Sequence, residues 1–193
     1  MTENPNVIQV ALLVAQAIER VGGRYFIGGS LASSIDGEPR ATNDIDVVLD
    51  LPIGRVVELR DALGAEFEVD AGMLRDALLR GRCANAFDLP LVMKIDFFGH
   101  AHGDFDESEF ERRRAVAVNA DGALLYVKSP EDTVLRKLAW YHEGGEISER
   151  QWRDVLGVLR RSGRDLDHDY LDRWAPKLGV GELLSRARQQ ASE

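Results

Sequence analysis

Cysteine is nearly absent: Cys83 is the one thiol among 193 residues. An internal disulfide is therefore excluded, and the composition fits a reducing, cytoplasmic setting. Cys83 itself reads as a small buried apolar residue rather than a reactive thiol. Long hydrophobic runs are missing as well. The most apolar stretch, residues 7–21, is interrupted by Gln9, Gln16, Glu19 and Arg20, which makes it too short and too polar to span a bilayer. It reads as a helix buried over much of its surface, and no membrane partner is expected. The opening MTENPN lacks a basic region and a small-residue cleavage site, so no signal peptide is expected. Repeats and low-complexity tracts are absent. Basic residues are in the minority, 24 against 33 acidic, for a formal charge of −9. Wholesale coating of nucleic acid needs clustered cations and is disfavoured, although a local basic patch is still allowed.

What remains is the balance of a globular protein, with 45% apolar and 30% charged residues. Glycine, proline and apolar periodicity divide the chain. A strand over Arg24 to Ile27 enters the turn Gly28-Gly29-Ser30, followed by a helix over Leu31 to Ile35 and a turn at Asp36 to Pro39. Ile45 to Leu49 reads as a strand, Pro52 to about Leu63 as a helix, Glu66 to Val69 as a weak strand and Met73 to Leu79 as a helix. Phe87 to Phe98 contains an extended stretch with a bend at Pro90. Residues 99–111 read as a polar loop with a short helix, and Arg114 to Val118 and Leu124 to Val127 as strands. The character changes at Ser129, where Ser-Pro-Glu-Asp is a helix start with proline at the first helical position. Gly144-Gly145 ends that helix, Ser148 with Gln151 suggests a capping box for the next, and residues 167–190 form one or two more, broken at Pro176 and Gly179. The expected fold is α/β (α+β): a mixed-sheet core over residues 1–128 and a helical unit over 129–193.

The chemistry-bearing residues lie mostly in the first part. Asp44 and Asp46 alternate on one face of a strand. Two carboxylates so placed repel, and a divalent cation with a preference for oxygen ligands relieves the repulsion. Asp96 lies on a later strand, on the same side as Lys94 and Phe98; if the two strands are neighbours, three carboxylates converge. The plainer alternative is that Asp44 caps a strand and Asp46 is merely exposed. An EF-hand is excluded because Val48 and Leu49 fall where an oxygen ligand and a glycine are required. Gly28, Gly29 and Ser30 would let backbone approach a polyphosphate at a helix N-terminus, or they form only a turn. His100 and His102 suggest zinc, but no other histidine or cysteine lies close in sequence, so zinc is not expected. Arg112-Arg113-Arg114 reads as a solvated face, while Arg150, Arg153, Arg160, Arg161 and Arg164 form a denser set suited to binding an acceptor.

Gly-Gly-Ser, thirteen residues, Asp-x-Asp and a later strand aspartate together resemble the DNA-polymerase-β-like nucleotidyltransferase superfamily. The stretch Arg40 to Asp46 looks like the segment entering the Asp-x-Asp strand in bacterial members. Glu131 to Leu138 resembles the lysine-bearing helix of AbiEii/MenT-like members, and Arg150 to Asp154 their following Arg/Lys-Asp segment. Where such members carry a second aspartate, this chain has Gly157. The resemblance implies a nucleotidyltransferase in which Asp44, Asp46 and Asp96 hold two Mg²⁺ (or Mn²⁺) ions. Gly28, Gly29 and Ser30 would cradle the phosphates of an NTP substrate, and Lys137 would offset triphosphate charge. Arg40, Thr42 and Asp154 complete the nucleotide-binding set, with Arg40 equally able to pair with Glu38 and Thr42 reading by itself as a strand former or turn hydroxyl rather than a ligand. The implied reaction moves a nucleoside monophosphate to the hydroxyl of a tRNA, a protein or a small molecule, and in this group such enzymes serve as toxins beside an antitoxin protein. Two other readings are a small-molecule nucleotidyltransferase of the antibiotic type and a non-catalytic protein-binding member of the fold.

Overall fold

A computed structural model describes residues 5–39 and 41–192. Arg40, named above as a phosphate contact, lies outside the described residues. The chain forms two compact units: one takes the chain through Leu31 and then Ala41–Lys128, the other takes the segment from Ala32 and the chain from Ser129.

The first unit is built on a mixed sheet in the order β3-β4-β5-β2-β1-β7-β6, comprising β1 (Arg24–Ile27), β2 (Asp44–Asp50), β3 (Phe67–Val69), β4 (Cys83–Asp88), β5 (Met93–Gly99), β6 (Arg114–Ala117) and β7 (Leu124–Val127). The central pair, β2 and β5, is parallel, with Asp46 opposite Asp96. Alternation gives β2 a buried side at Ile45, Val47 and Leu49 and β5 one at Met93, Ile95 and Phe97. Helix α1 (Pro5–Arg20) buries Val7, Val10, Ala11, Val14, Ala17 and Ile18. This i, i+3, i+4 stripe packs α1 against β1, β2 and β7 and against α3 (Val56–Leu63). Pro52 opens a single 3-10 turn at Ile53–Arg55 before α3, rather than the helix proper.

The expected extended stretch over Phe87 to Phe98 divides into two antiparallel strands joined by a turn containing Pro90 and a left-handed Val92. β4 begins four residues earlier than that stretch, a start the sequence does not reveal because the strand opens on small side chains. Ala84 and Ala86 are buried, and alanine and asparagine favour strands only weakly. Helices α4 (Ala71–Arg80), capped by Asp70 at the backbone N–H of Met73, and α5 (Asp104–Glu111) complete the unit. α2 (Gly29–Asp36) starts at the second glycine of the turn.

The second unit is helical. Ser129 caps α6 (Pro130–Glu143), accepting from the Asp132 N–H, and Ser148 caps α7 (Glu149–Ser162), accepting from the Gln151 N–H. The expected reciprocal bond of a capping box is not what Gln151 makes with its side chain: Gln151 Oε1 accepts from Lys137 Nζ at 3.1 Å. α8 (His168–Lys177) contains Pro176 and is followed, after the left-handed Gly179, by α9 (Gly181–Ala191). A buried network ties these helices together: Tyr170 donates to Asp132 Oδ1 at 2.6 Å, and Glu131 accepts from the Asp167 N–H at 2.9 Å. The 32–39 segment joins this unit through close backbone approach. Arg161 donates to the Gly37 carbonyl at 2.9 Å and Ser162 to the Asp36 carbonyl at 3.0 Å. A Cβ on Gly157 would lie 3.2 Å from the Glu38 nitrogen, so this position has little room for a side chain.

Candidate active site

The solvent side of β2 carries Asp44 and Asp46, and the same side of β5 carries Lys94 and Asp96. The register pairs Asp44 with Lys94 and Asp46 with Asp96, so the ladder places two carboxylates side by side on neighbouring strands. Like charges at that spacing repel. Asp96 answers by turning to donors: Lys94 Nζ donates to its Oδ2 at 2.8 Å, and the Asn85 side chain on β4 donates to its Oδ1. The hydrogen bond to Asp96 holds the Lys94 ammonium above its ordinary pKa. Cys83, two residues before Asn85, is exposed rather than buried as expected, because it starts β4 on the solvent side. Partial burial and the nearby carboxylates push its thiol up to about 11, which keeps it protonated and a poor nucleophile at neutral pH.

The glycine turn is joined to β2 directly. The Gly28 N–H donates to the Asp46 carbonyl at 2.8 Å. Gly29 has a left-handed φ of +54°, and a Cβ there would overlap the Asp46 carboxylate. Only glycine fits both demands. Ser30 is buried at the start of α2. Thr42 forms a local turn with Asp44, its hydroxyl donating to the Asp44 carbonyl at 3.2 Å and accepting from the Asp44 N–H at 3.3 Å. Gly29→Ala is expected to displace Asp46 and lower stability by about 2 kcal/mol in denaturant titrations. Gly28→Ala, where the nearest atom to a new Cβ is Lys128 Cε at 3.7 Å, is expected to unfold at the wild-type midpoint. Equal midpoints for the two variants would contradict this account of the turn.

Lys128 was not anticipated from the sequence. β7 runs parallel to β1 with Val127 opposite Ile27, and this register carries Lys128 to the side of Gly28. Its buried ammonium pairs with Glu109 of α5 at 2.9 Å and stands 5.3 Å from the Phe26 ring centroid. A single lysine between Val127 and Ser129 carries no motif, and the strand pairing alone gives it meaning.

In the helical unit, Lys137 and Asp154 meet. Lys137 Nζ is 2.8 Å from Asp154 Oδ2, and the two side chains are only 5% and 8% exposed. The arginine set divides. Arg160 and Arg164 line a cleft with His168 and Arg188, whereas Arg161 is occupied by the Gly37 carbonyl. Among the described residues no helix is long and apolar enough to cross a membrane.

No protein-family model matches the chain, and no curated protein matches it significantly. Solved structures do. An antigenic nucleotidyltransferase-like protein from Paracoccidioides brasiliensis superposes with a TM-score of 0.56 at 15% identity, over 96% of this chain and 93% of the other. ANT(2'')-Ia in complex with adenylyl-2''-tobramycin superposes with a TM-score of 0.53 at 16% identity, over 89% of this chain and 97% of the other. The mixed sheet, its helices and the helical C-terminal part are those of a nucleotidyltransferase fold.

Proposed function

We propose that this protein is a metal-dependent nucleotidyltransferase that moves a nucleoside monophosphate from an NTP to an acceptor hydroxyl, releasing pyrophosphate. The observation that carries the reading is the rung pairing Asp46 with Asp96, with Asp44 on the same face and the Gly28–Gly29 backbone set against Asp46. Such a donor set is all carboxylate, which suits Mg²⁺ or Mn²⁺. Asp44 and Asp46, with Asp96, would hold the ions, whose chemistry when bound is to activate the attacking hydroxyl and stabilise the leaving pyrophosphate. Gly28, Gly29 and Ser30 would receive the phosphates at the glycine turn that opens α2, where the backbone can approach a polyphosphate closely, and Lys128, paired with Glu109, stands beside that turn. By the resemblance Asp96 would also take the acceptor proton, a role for which its present donors, Lys94 and Asn85, would have to yield.

The resemblance to AbiEii/MenT-like proteins favours a tRNA acceptor and a toxin role beside an antitoxin. The match to ANT(2'')-Ia over nearly its whole length favours a small-molecule hydroxyl as the second reading. Incubation with each α-labelled NTP and Mg²⁺, together with total RNA, protein lysate or a panel of polyhydroxylated aminocyclitols, separates them. Label is expected on one acceptor class and only with a divalent cation present. Absence of transfer to all three classes, with NTP binding also absent, would leave a non-catalytic binding member of the fold.

A further inference from the structure

The face that carries Asp44, Asp46 and Asp96 continues to the last residue of β2 and one residue past the end of β5. The Leu49 carbonyl accepts from the His100 N–H at 3.1 Å, so the ladder extends one rung and sets His100 beside Asp50. Even-numbered residues share this side, and Asp50 and His100 therefore face the way Asp46 and Asp96 do. His100 is only 6% exposed, and neither of its ring nitrogens has a hydrogen-bond partner. A buried imidazole without a partner is costly, and native interiors seldom leave one so. Its ring lies against Phe110 and His102, with centroids 4.6 and 4.3 Å away. Donor atoms of Asp50, His100 and His102 all lie within 4.8 Å of one another.

Each flanking side chain already has a partner on one of its two donor atoms. His102 Nδ1 is 2.8 Å from Glu107 Oε1, which directs Nε2 away from the carboxylate. Both hydrogen bonds from Arg24 to Asp50 end on Oδ2, leaving Oδ1 for another partner. An imidazole held by a carboxylate and a ligating carboxylate held by its own donor are the outer supports of protein metal sites. Ligands on a tetrahedral ion at 2.0–2.1 Å stand about 3.3 Å apart, so closing from the present spacing needs shifts of about 1 Å. His102, on an exposed loop, is free to make such a shift.

We infer that Asp50, His100 and His102 form a second cation site, selective for a borderline-soft dication of the Zn²⁺ type. Two imidazole nitrogens and one carboxylate oxygen suit zinc and its first-row neighbours and disfavour Mg²⁺, which demands oxygen. Four residues of strand separate Asp50 from Asp46, about 13 Å, so this cation does not share ligands with the proposed catalytic ions. It would fasten the end of β2 to the loop leaving β5. Through Glu107 it would also fasten α5, whose Glu109 holds Lys128 beside Gly28.

The test is calorimetric titration of the full chain with Zn²⁺ in millimolar Mg²⁺, which occupies the oxygen-only set. One Zn²⁺ per chain is expected. Asp46→Asn should bind it at wild-type affinity, His102→Ala at least about tenfold more weakly, and Glu107→Gln about 10–100-fold more weakly. The last two replacements are at exposed side chains, so they leave the core intact where His100→Ala would not. Ring-nitrogen NMR of the wild type needs no variant: of the four histidines, His100 and His102 should shift on adding Zn²⁺, and His142 and His168 should not. Unchanged Zn²⁺ binding in His102→Ala, loss of binding in Asp46→Asn, shifts at His142 or His168 instead, or no binding to the wild type would each overturn the site.

Discussion

Asp46→Asn is expected to reduce nucleotidyl transfer about a thousandfold or more, in kcat rather than in KM, because ligand charge at a catalytic cation is used chiefly in the transition state. The replacement keeps the shape of the side chain and leaves the Asp46 carbonyl accepting from the Gly28 N–H, so the turn should survive. It also removes one of two adjacent negative charges on the Asp46–Asp96 rung, so thermal stability without added cation should hold or rise slightly. Single-turnover transfer from an α-labelled NTP, measured beside a melting curve, separates loss of chemistry from loss of fold. Transfer within tenfold of wild type would place the reacting phosphorus elsewhere.

Lys137→Ala is expected to act mainly on stability, with a loss of about 3–5 kcal/mol, because it leaves the Asp154 carboxylate buried without its cation. The resemblance implies another outcome: a lysine at the triphosphate tail whose removal raises KM for NTP. Denaturant midpoints and nucleotide titration distinguish the two. The structure has Lys137 Nζ already shared between Asp154 and Gln151. Replacing Lys137 and Asp154 together by apolar residues of similar volume should recover most of the loss, since a buried ion pair is often close to neutral against well-packed hydrophobic side chains. A single Lys137→Ala variant that melts like wild type but binds NTP poorly would reverse this assignment.

Much of the fold is written in local pattern. The apolar stripe of α1, the alternation in β2 and the Ser129 and Ser148 caps follow from spacing and from unsatisfied N–H groups at helix starts, and short-range rules read these directly. β4 is less visible because the buried Ala84 and Ala86 and the exposed Asn85 between them carry no strand-forming signature. The exposure of Cys83 is hidden for a related reason, since it depends on which side of β4 the residue occupies.

The candidate site divides in the same way. Asp44 and Asp46 are two residues apart and announce themselves. Asp50 and His100 are fifty apart, and their juxtaposition exists only because β2 and β5 run parallel in one particular register. Lys128 is equally silent until β7 is laid beside β1. The membership of residues 32–39 in the helical unit rests on backbone approach at Gly37 and Gly157, where two glycines leave no side-chain pattern to read.

The β2–β5 ladder also behaves as a vernier. Its rungs read acid against lysine at 44/94 and acid against acid at 46/96, while the end of β2 sets Asp50 beside His100, one residue past β5. Sliding β5 by two residues keeps every apolar side chain on its buried face, so hydrophobic burial alone barely distinguishes the slipped alignment from the native one. It would, however, set Asp44 against Asp96 and Asp46 against Phe98, scattering the donors along the edge. Cations that need both strands at once therefore report on alignment itself. Ion uptake during refolding would discriminate between two sheets that look alike from the core, a proofreading of topology by charge.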